Sequence, residues 1–207
     1  MAVTGDMAQA SVAVFLDRDG VINEERSDYV KSWGEFHFLP GALEAMSELT
    51  GAGCRLFVIT NQSAIHRGLV SWGQVQDIHR RMREEIERAG GAVEAVLVCP
   101  HRPDEGCECR KPRPGLLERA AREHALDLER CYLIGDKLSD IAAGQAVGCR
   151  CALVQTGLAD PHQAGDGANV SGAYRLCRDA REAAEWILER EGEAFLANRP
   201  SDSGTIG

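Results

Sequence analysis

The chain reads as an α/β domain, a parallel sheet with helices on both faces, and three observations predict it. Short apolar, mostly β-branched runs alternate with longer stretches of helical periodicity along the sequence. Glycine and proline punctuate the junctions between them. Acidic or hydroxyl residues (Asp17, Thr60, Asp136) stand where apolar runs end, and open α/β sheets bind ligands at the carboxyl ends of their strands.

The elements follow in order. A strand is expected over Ser11–Asp17, built on Val12-Ala13-Val14-Phe15-Leu16, with Gly20 marking where the backbone leaves it. A helix over Gly41–Thr50 starts behind Pro40 and stops at Gly51-Ala52-Gly53. The strand Arg55–Thr60 precedes a helix over Ser71–Ala89. There Val75, Ile78, Met82 and Ile86 form an apolar stripe opposite Arg80, Arg81, Glu84 and Glu85, and Gly90-Gly91 ends the pattern. Strands over Val93–Cys99, Cys131–Gly135 and Arg150–Val154 interleave with helices over Pro114–His124, Ser139–Val147 and Asp179–Glu193. Right-handed crossovers place all strand-to-helix loops on one edge. No interval is long enough for a large lid, so the site is expected to be open and shaped by loops. Residues 11–192 read as one domain, with 1–10 and 193–207 as flexible tails.

Composition narrows the function. The 207 residues suffice for one domain with a sizeable core, and a net charge of −9 argues against nucleic acid or an anionic membrane as partner. No stretch could span a bilayer, and Met1–Ala10 lacks the basic start and apolar core of a signal peptide. A cytoplasmic address and a monomer are expected. In that reducing compartment Cys54, Cys131, Cys149, Cys151 and Cys177 read as ordinary buried thiols. Of 23 basic residues only Lys31, Lys111 and Lys137 are lysines. Two of them fall in motifs that call for a compact point charge.

Four segments reach the expected catalytic edge. Asp17-Arg18-Asp19-Gly20 puts carboxylates at i and i+2, on one face, where two anions call for a divalent cation. Thr60-Asn61-Gln62-Ser63 offers a hydroxyl and turn amides to an anion. Arg110-Lys111-Pro112 is cationic, and Gly135-Asp136-Lys137-Leu138-Ser139-Asp140 adds carboxylates. Carboxylates, hydroxyl and lysine on successive loops of one edge are what phosphoryl transfer with magnesium requires. A separate cluster, Cys99-Pro100-His101 and Cys107-Glu108-Cys109, supplies three thiols and an imidazole. That is a complete tetrahedral set for a structural zinc.

In this order and spacing the four segments resemble the haloacid dehalogenase superfamily of aspartate-nucleophile phosphatases, from about residue 11 to about residue 156. Within it they are most similar to the cap-less zinc-containing branch. That branch includes D-glycero-D-manno-heptose 1,7-bisphosphate 7-phosphatase and histidinol phosphatase. The resemblance implies a three-layer α/β/α sandwich of Rossmann type, without a large cap and with one structural zinc loop. It implies Asp17 as nucleophile and Asp19 as acid and base. Thr60 and Lys111 then stabilise the transferring group, and Mg2+ is held by Asp17, the Asp19 main-chain carbonyl and Asp136. Asp140 is expected to orient a neighbour. Glu25-Arg26-Ser27-Asp28-Tyr29, Asn61, Gln62, Ser63, Arg110 and Lys137 are expected against a small phosphorylated sugar. Zn2+ on Cys99, His101, Cys107 and Cys109 would stiffen the loop that carries Arg110.

Details divide the branch. Thr60–Ser63, Arg110–Gly115 and Gly135–Lys137 look like the heptose bisphosphate enzymes, whereas the short interval from His101 to Cys107 looks as much like the histidinol phosphatases. The 7-phosphate of the heptose bisphosphate is the expected substrate group, with histidinol phosphate or another small sugar phosphate the alternative. A non-catalytic, zinc-stabilised binding module is the alternative of another class. It would be expected to lack Asp17, Asp19 or Lys111, and all three are present.

Overall fold

Side chains along β1 (Ala13–Leu16) point alternately to opposite sides of the sheet, and both sides are buried. Val14 and Leu16 enter one apolar cluster, and Ala13 and Phe15 enter another. That is why the strand is apolar throughout. The structure, a computed structural model, describes residues 12–158, 170 and 172–197.

The order along the chain is β1, α1 (Ala42–Gly51), β2 (Arg55–Asn61), α2 (Trp72–Arg88), β3 (Val93–Cys99) and α3 (Gly115–His124). It continues through β4 (Tyr132–Gly135), α4 (Leu138–Gln145), β5 (Arg150–Val154), β6 (Arg175–Cys177) and α5 (Ala180–Ala197). All six strands are parallel, in the spatial order β3-β2-β1-β4-β5-β6. Helices α1, α2 and α5 cover one face, through Met46, Leu49, Ile78, Met82, Ile86 and Ile187. Helices α3 and α4 cover the other, through Leu116, Leu117, Ala120 and Ile141. The result is the expected three-layer sandwich.

The topology decides where chemistry can occur. The chain runs outward from β1 to β3, then returns to place β4 on the other side of β1. The loops after β1 and β4 therefore diverge at a switch point, leaving a crevice at the carboxyl edge. Asp17 and Asp136, the residues just beyond these two strands, stand on either side of it.

The stripe of α2 is buried as its spacing requires, and Ser71 caps the helix with Gln74 in a reciprocal box. The five cysteines expected to be ordinary thiols are all buried. Three expectations need correction. The last helix runs through Ala197 and does not give way to a tail at 193, because a single glycine, Gly192, costs a helix only about 1 kcal/mol and does not stop it. Strand β6 was unforeseen: three residues, two of them exposed, are too few to show an alternation. Helix α4 starts one residue early and ends at Gln145. The tails expected at 1–10 and 198–207 lie outside the described residues.

Candidate active site

Lysine 111 is almost wholly buried at the carboxyl edge between two carboxylates. Its Nζ lies 2.9 Å from Asp17 Oδ1 and 2.6 Å from Asp140 Oδ1, and it donates to the Ile59 carbonyl at 3.0 Å. Asn61 fixes the backbone from which this side chain hangs. Its amide donates to the Lys111 carbonyl and accepts from the Lys111 N–H, both at 3.2 Å. Burial works against the ammonium, but Asp140 and Asp17 outweigh it and raise its pKa. Burial and the nearby Asp140 push the Asp17 carboxyl up to about 6, against the pull of Lys111. The Arg18 N–H donates to Asp17 Oδ1 at 2.7 Å, which leaves Oδ2 of that carboxylate as the second edge.

Asp136 sits beside this pair with 1% of its surface exposed. Neither of its carboxylate oxygens has a hydrogen-bond partner among the described residues. The nearest cation is Lys137 Nζ, 3.6 Å from Oδ2, and that ammonium is held by Glu25 at 2.5 Å. Burial, followed by the charges of Asp140 and Asp17, raises Asp136 well above the ordinary carboxylate range. Gly20 lies at φ +90°, and a Cβ there or at Gly157 would strike Asp136 Oδ2. Two glycines thus keep space open around a carboxylate that has no donor. Oxygens of Asp17, Asp136 and Asp140 lie within 4.8 Å of one another. Asp140 is engaged by Lys111 and by the Lys137 N–H at 3.0 Å. Asp17 and Asp136 therefore remain as the carboxylates suited to a hard cation.

Asp19 is held differently. Arg18 Nη2 and Asn23 Nδ2 donate to its Oδ1 at 2.8 and 2.9 Å, and Gln62 Nε2 donates to Oδ2 at 2.7 Å. Burial opposes ionisation, but the Arg18 charge and the three donors hold this carboxyl below its usual range. Gln62 also donates to Thr60 Oγ1 at 2.8 Å, tying the β2 loop to the β1 loop.

Apart from Asp136, which stays buried behind the wall, and from Arg18 and Asn23, these side chains open into a cavity of about 220 Å³. Asp17, Asp19, Thr60, Asn61, Gln62, Ser63, Arg110, Lys111, Lys137, Glu25, Arg26 and Tyr29 all line it. Ser27 and Asp28 do not. Both are exposed, and the Asp28 carboxylate is engaged by Arg26 and Lys31, at 3.0 and 2.8 Å, on the outer side of the loop. The segment turns at Tyr29 (φ +66°), so its middle faces away from the crevice. Arg67 and Ser139 line the cavity unforeseen. Arg67 lies beyond the Thr60–Ser63 motif, in a turn with no periodicity to betray its direction.

The cysteine cluster lies behind Arg110. Sγ of Cys107 is 3.6 Å from that of Cys99 and 3.5 Å from that of Cys109, and His101 Nδ1 lies 3.5 and 3.2 Å from Cys99 and Cys109. A tetrahedron with metal–sulfur arms of about 2.3 Å has edges of about 3.8 Å, so the four groups already have the size of a metal site. Arg110 donates to the His101 carbonyl at 3.3 Å, which couples the loop to the cavity wall.

A family model described as HAD-hydrolase-like matches residues 108–183. A D-glycero-beta-D-manno-heptose-1,7-bisphosphate 7-phosphatase of Bordetella bronchiseptica is 40% identical over 176 residues, covering 85% of this chain and 97% of that one. The enzyme of the same name from Pseudomonas aeruginosa is 42% identical over 144 residues, covering 70% and 81%. The chain belongs to the haloacid dehalogenase family, in the branch of these heptose bisphosphate phosphatases. A crystal structure of the B. bronchiseptica D,D-heptose 1,7-bisphosphate phosphatase, complexed with magnesium and phosphate, superposes with a TM-score of 0.80. It shows 38% identity and covers 86% of this chain and 99% of that chain. The haloacid dehalogenase model spans Arg110-Lys111 and Gly135–Asp140, while Asp17 and Thr60 lie before its match.

Proposed function

We propose that this chain is a magnesium-dependent phosphatase that removes the 7-phosphate of D-glycero-D-manno-heptose 1,7-bisphosphate through an aspartyl-phosphate on Asp17. The observation that carries the reading is the Asp17 carboxylate on the floor of a cationic cavity, 2.9 Å from the buried Lys111 ammonium. The names of the relatives support heptose bisphosphate as the substrate.

Asp17 is the nucleophile. Its carboxylate oxygen attacks phosphorus, and the bond from phosphorus to the sugar oxygen breaks. Asp19, ionised at rest, takes the proton of the phosphate monoanion as it binds and gives it to that oxygen. It then takes one from the water that attacks the aspartyl-phosphate and returns it to the departing phosphate. Phosphate leaves, and both carboxylates return to their starting states. Lys111 and Thr60 face charge that spreads over the phosphoryl oxygens in the transition state. Lys111 is held by Asn61, Ile59 and Asp140, so little reorganisation accompanies the reaction.

The residues fit a magnesium ion. Asp136 presents two buried oxygens without donors in a space kept by glycines, and a hard cation satisfies such oxygens. Asp17, Asp136 and the Asp19 main-chain carbonyl would hold it, and when bound it supplies positive charge for the phosphoryl oxygens. Cys99, His101, Cys107 and Cys109 fit zinc by donor softness and by spacing. Four protein ligands leave no open position, so zinc there fixes the Arg110 loop and takes no part in the chemistry. Arg110 and Arg67 supply fork-like cations for the second phosphate of a bisphosphate.

All eight cysteines are free thiols, which accords with a reducing cytoplasm. One chain supplies every residue invoked, so a monomer suffices. Among the described residues no helix is long and apolar enough to cross a membrane.

Phosphate release from both anomers of the heptose bisphosphate, from histidinol phosphate and from a generic sugar phosphate tests the reading. A heptose bisphosphate anomer is expected to have the highest kcat/KM. Preference for histidinol phosphate would move the chain to the other substrate, and no turnover of any ester would make it a binding module.

A further inference from the structure

Three side chains grip Asp19, and each has a second anchor. Asn23 Nδ2 also donates to the Glu24 carbonyl at 2.8 Å. Gln62 Nε2 also donates to Thr60 Oγ1 at 2.8 Å. Arg18 reaches past the loop to α2, where its Nη1 lies 3.0 Å from His79 Nε2. The Arg18 side chain is fully buried, and its Nε has no partner among the described residues. The plane of the guanidinium is therefore set by His79 on one side and by Asp19 itself on the other.

We propose that His79 is a positioning residue for the acid–base Asp19. Its Nε2 accepts from Arg18 and fixes the guanidinium that orients the carboxyl. The proposal rests on the reading of Asp19 given above. Guanidinium only donates, so His79 Nε2 accepts, and the ring is neutral with its proton on Nδ1. A neutral acceptor suits this place. A carboxylate here would compete with Asp19 for the Arg18 charge, and an apolar side chain would leave a buried N–H without a partner. The imidazole is itself 7% exposed and 61 positions from Arg18 in sequence, so this hydrogen bond ties helix α2 to the catalytic loop.

The expected effect has a chemical signature that a packing defect lacks. Protonating the leaving oxygen matters greatly for a sugar phosphate and little for an aryl phosphate, whose leaving group departs without help. The test compares kcat for heptose 1,7-bisphosphate and p-nitrophenyl phosphate in wild type, Asp19→Asn, His79→Leu and His79→Gln, on protein shown to be folded by circular dichroism. Asp19→Asn should lose sugar phosphate turnover selectively. His79→Leu should show the same selectivity at smaller amplitude, roughly ten-fold or more on the sugar phosphate, the rate equivalent of one charged hydrogen bond, and under about three-fold on the aryl ester. His79→Gln, which restores an acceptor, should recover most of the loss.

Equal loss on both substrates in His79→Leu, or no recovery in His79→Gln, overturns the proposal while leaving Asp19 in place. Equal loss on both substrates in Asp19→Asn overturns the acid role of Asp19 and the proposal with it. Should His79→Leu not fold, the nitrogen resonances of the His79 ring in the wild-type protein decide the matter. A bare Nε2 and a protonated Nδ1 are expected, and a proton on Nε2 overturns the proposal.

Discussion

Replacing Lys111 with methionine keeps the length and the packing of the side chain and removes only its charge. The structure sets the size of the effect. With Nζ 2.9 Å from Asp17 and an effective dielectric near 20, the two charges attract by roughly 6 kcal/mol. Desolvation of the ammonium offsets part of that. Removing one partner of a buried ion pair costs about 3–5 kcal/mol in the pairs that have been measured, because the remaining charge is left uncompensated. Here two carboxylates are left, Asp17 and Asp140, and they stand close to each other. Burial already lifts Asp17 to about 6 against the pull of Lys111, so without the lysine its carboxyl shifts further toward the protonated, non-nucleophilic form. The cost of the broken ion pair falls on folding; losing a group that stabilises charge in the transition state costs about 2.7–4 kcal/mol, roughly 10²–10³ in kcat. The assay is steady-state phosphate release at saturating bisphosphate between pH 6 and pH 9, with thermal unfolding measured in parallel. kcat should fall by that factor, the residual activity should need higher pH than wild type, and the variant should unfold earlier. A folded Lys111→Met protein within three-fold of wild-type kcat would refute the placement of this lysine on the transferring phosphoryl group.

Three further outcomes follow from other parts of the molecule. Chelating magnesium should stop turnover reversibly without unfolding the protein, and Asp136→Asn should raise the magnesium needed for half-maximal activity. Unchanged activity in verified metal-free buffer contradicts this. Cys107→Ser should lower zinc from about one per chain, as elemental analysis measures it, and raise KM for the bisphosphate more than for a small ester, since the loop it loosens carries Arg110 but not Asp17. Equal KM changes for both substrates would break the link between zinc and Arg110. Buried against Arg18, the His79 imidazole has its pKa depressed from 6.5 to about 3 by burial and by the Arg18 charge. The unfolded chain therefore binds this proton first, and the contribution is complete above pH 6.5 and lost as pH falls toward 3. Between pH 7 and pH 4.5 urea unfolding should show wild type losing on the order of 2 kcal/mol more than His79→Gln. Parallel losses would place the proton elsewhere.

Most of the fold was legible because the central strands β1 and β4 are covered on both faces and so are apolar from end to end, and β2, β3 and β5 keep long apolar runs. The catalytic edge was legible for a related reason: Asp17, Thr60 and Asp136 are polar residues that interrupt apolar runs at the point where a parallel sheet presents its loops. What remained hidden depends on long-range contact. His79 completes a helical stripe with Val75, Ile78, Met82 and Ile86, so its burial could have been read from spacing, but its partner Arg18 could not. Ser27 and Asp28 sit in the segment that lines the cavity, yet the turn at Tyr29 aims them outward, and no sequence signal marks a positive φ at a tyrosine. Asn61 was expected against the substrate. It lines the cavity, but both ends of its amide are engaged by the Lys111 backbone, a distinction that depends on 50 intervening residues folding back. Strand β6 escaped because a three-residue strand carries no period.

The central claim is that Asp17 carries the phosphoryl group during removal of the 7-phosphate. The most direct measurement quenches the enzyme within milliseconds of mixing with heptose 1,7-bisphosphate, reduces the denatured protein with borohydride, and maps the peptides by mass. An acyl phosphate on Asp17 is reduced to the alcohol, so the account predicts homoserine in place of Asp17, dependent on substrate and absent from Asp17→Asn. Active turnover with an unmodified Asp17 peptide, or with the reduced residue at any other carboxylate, would contradict it.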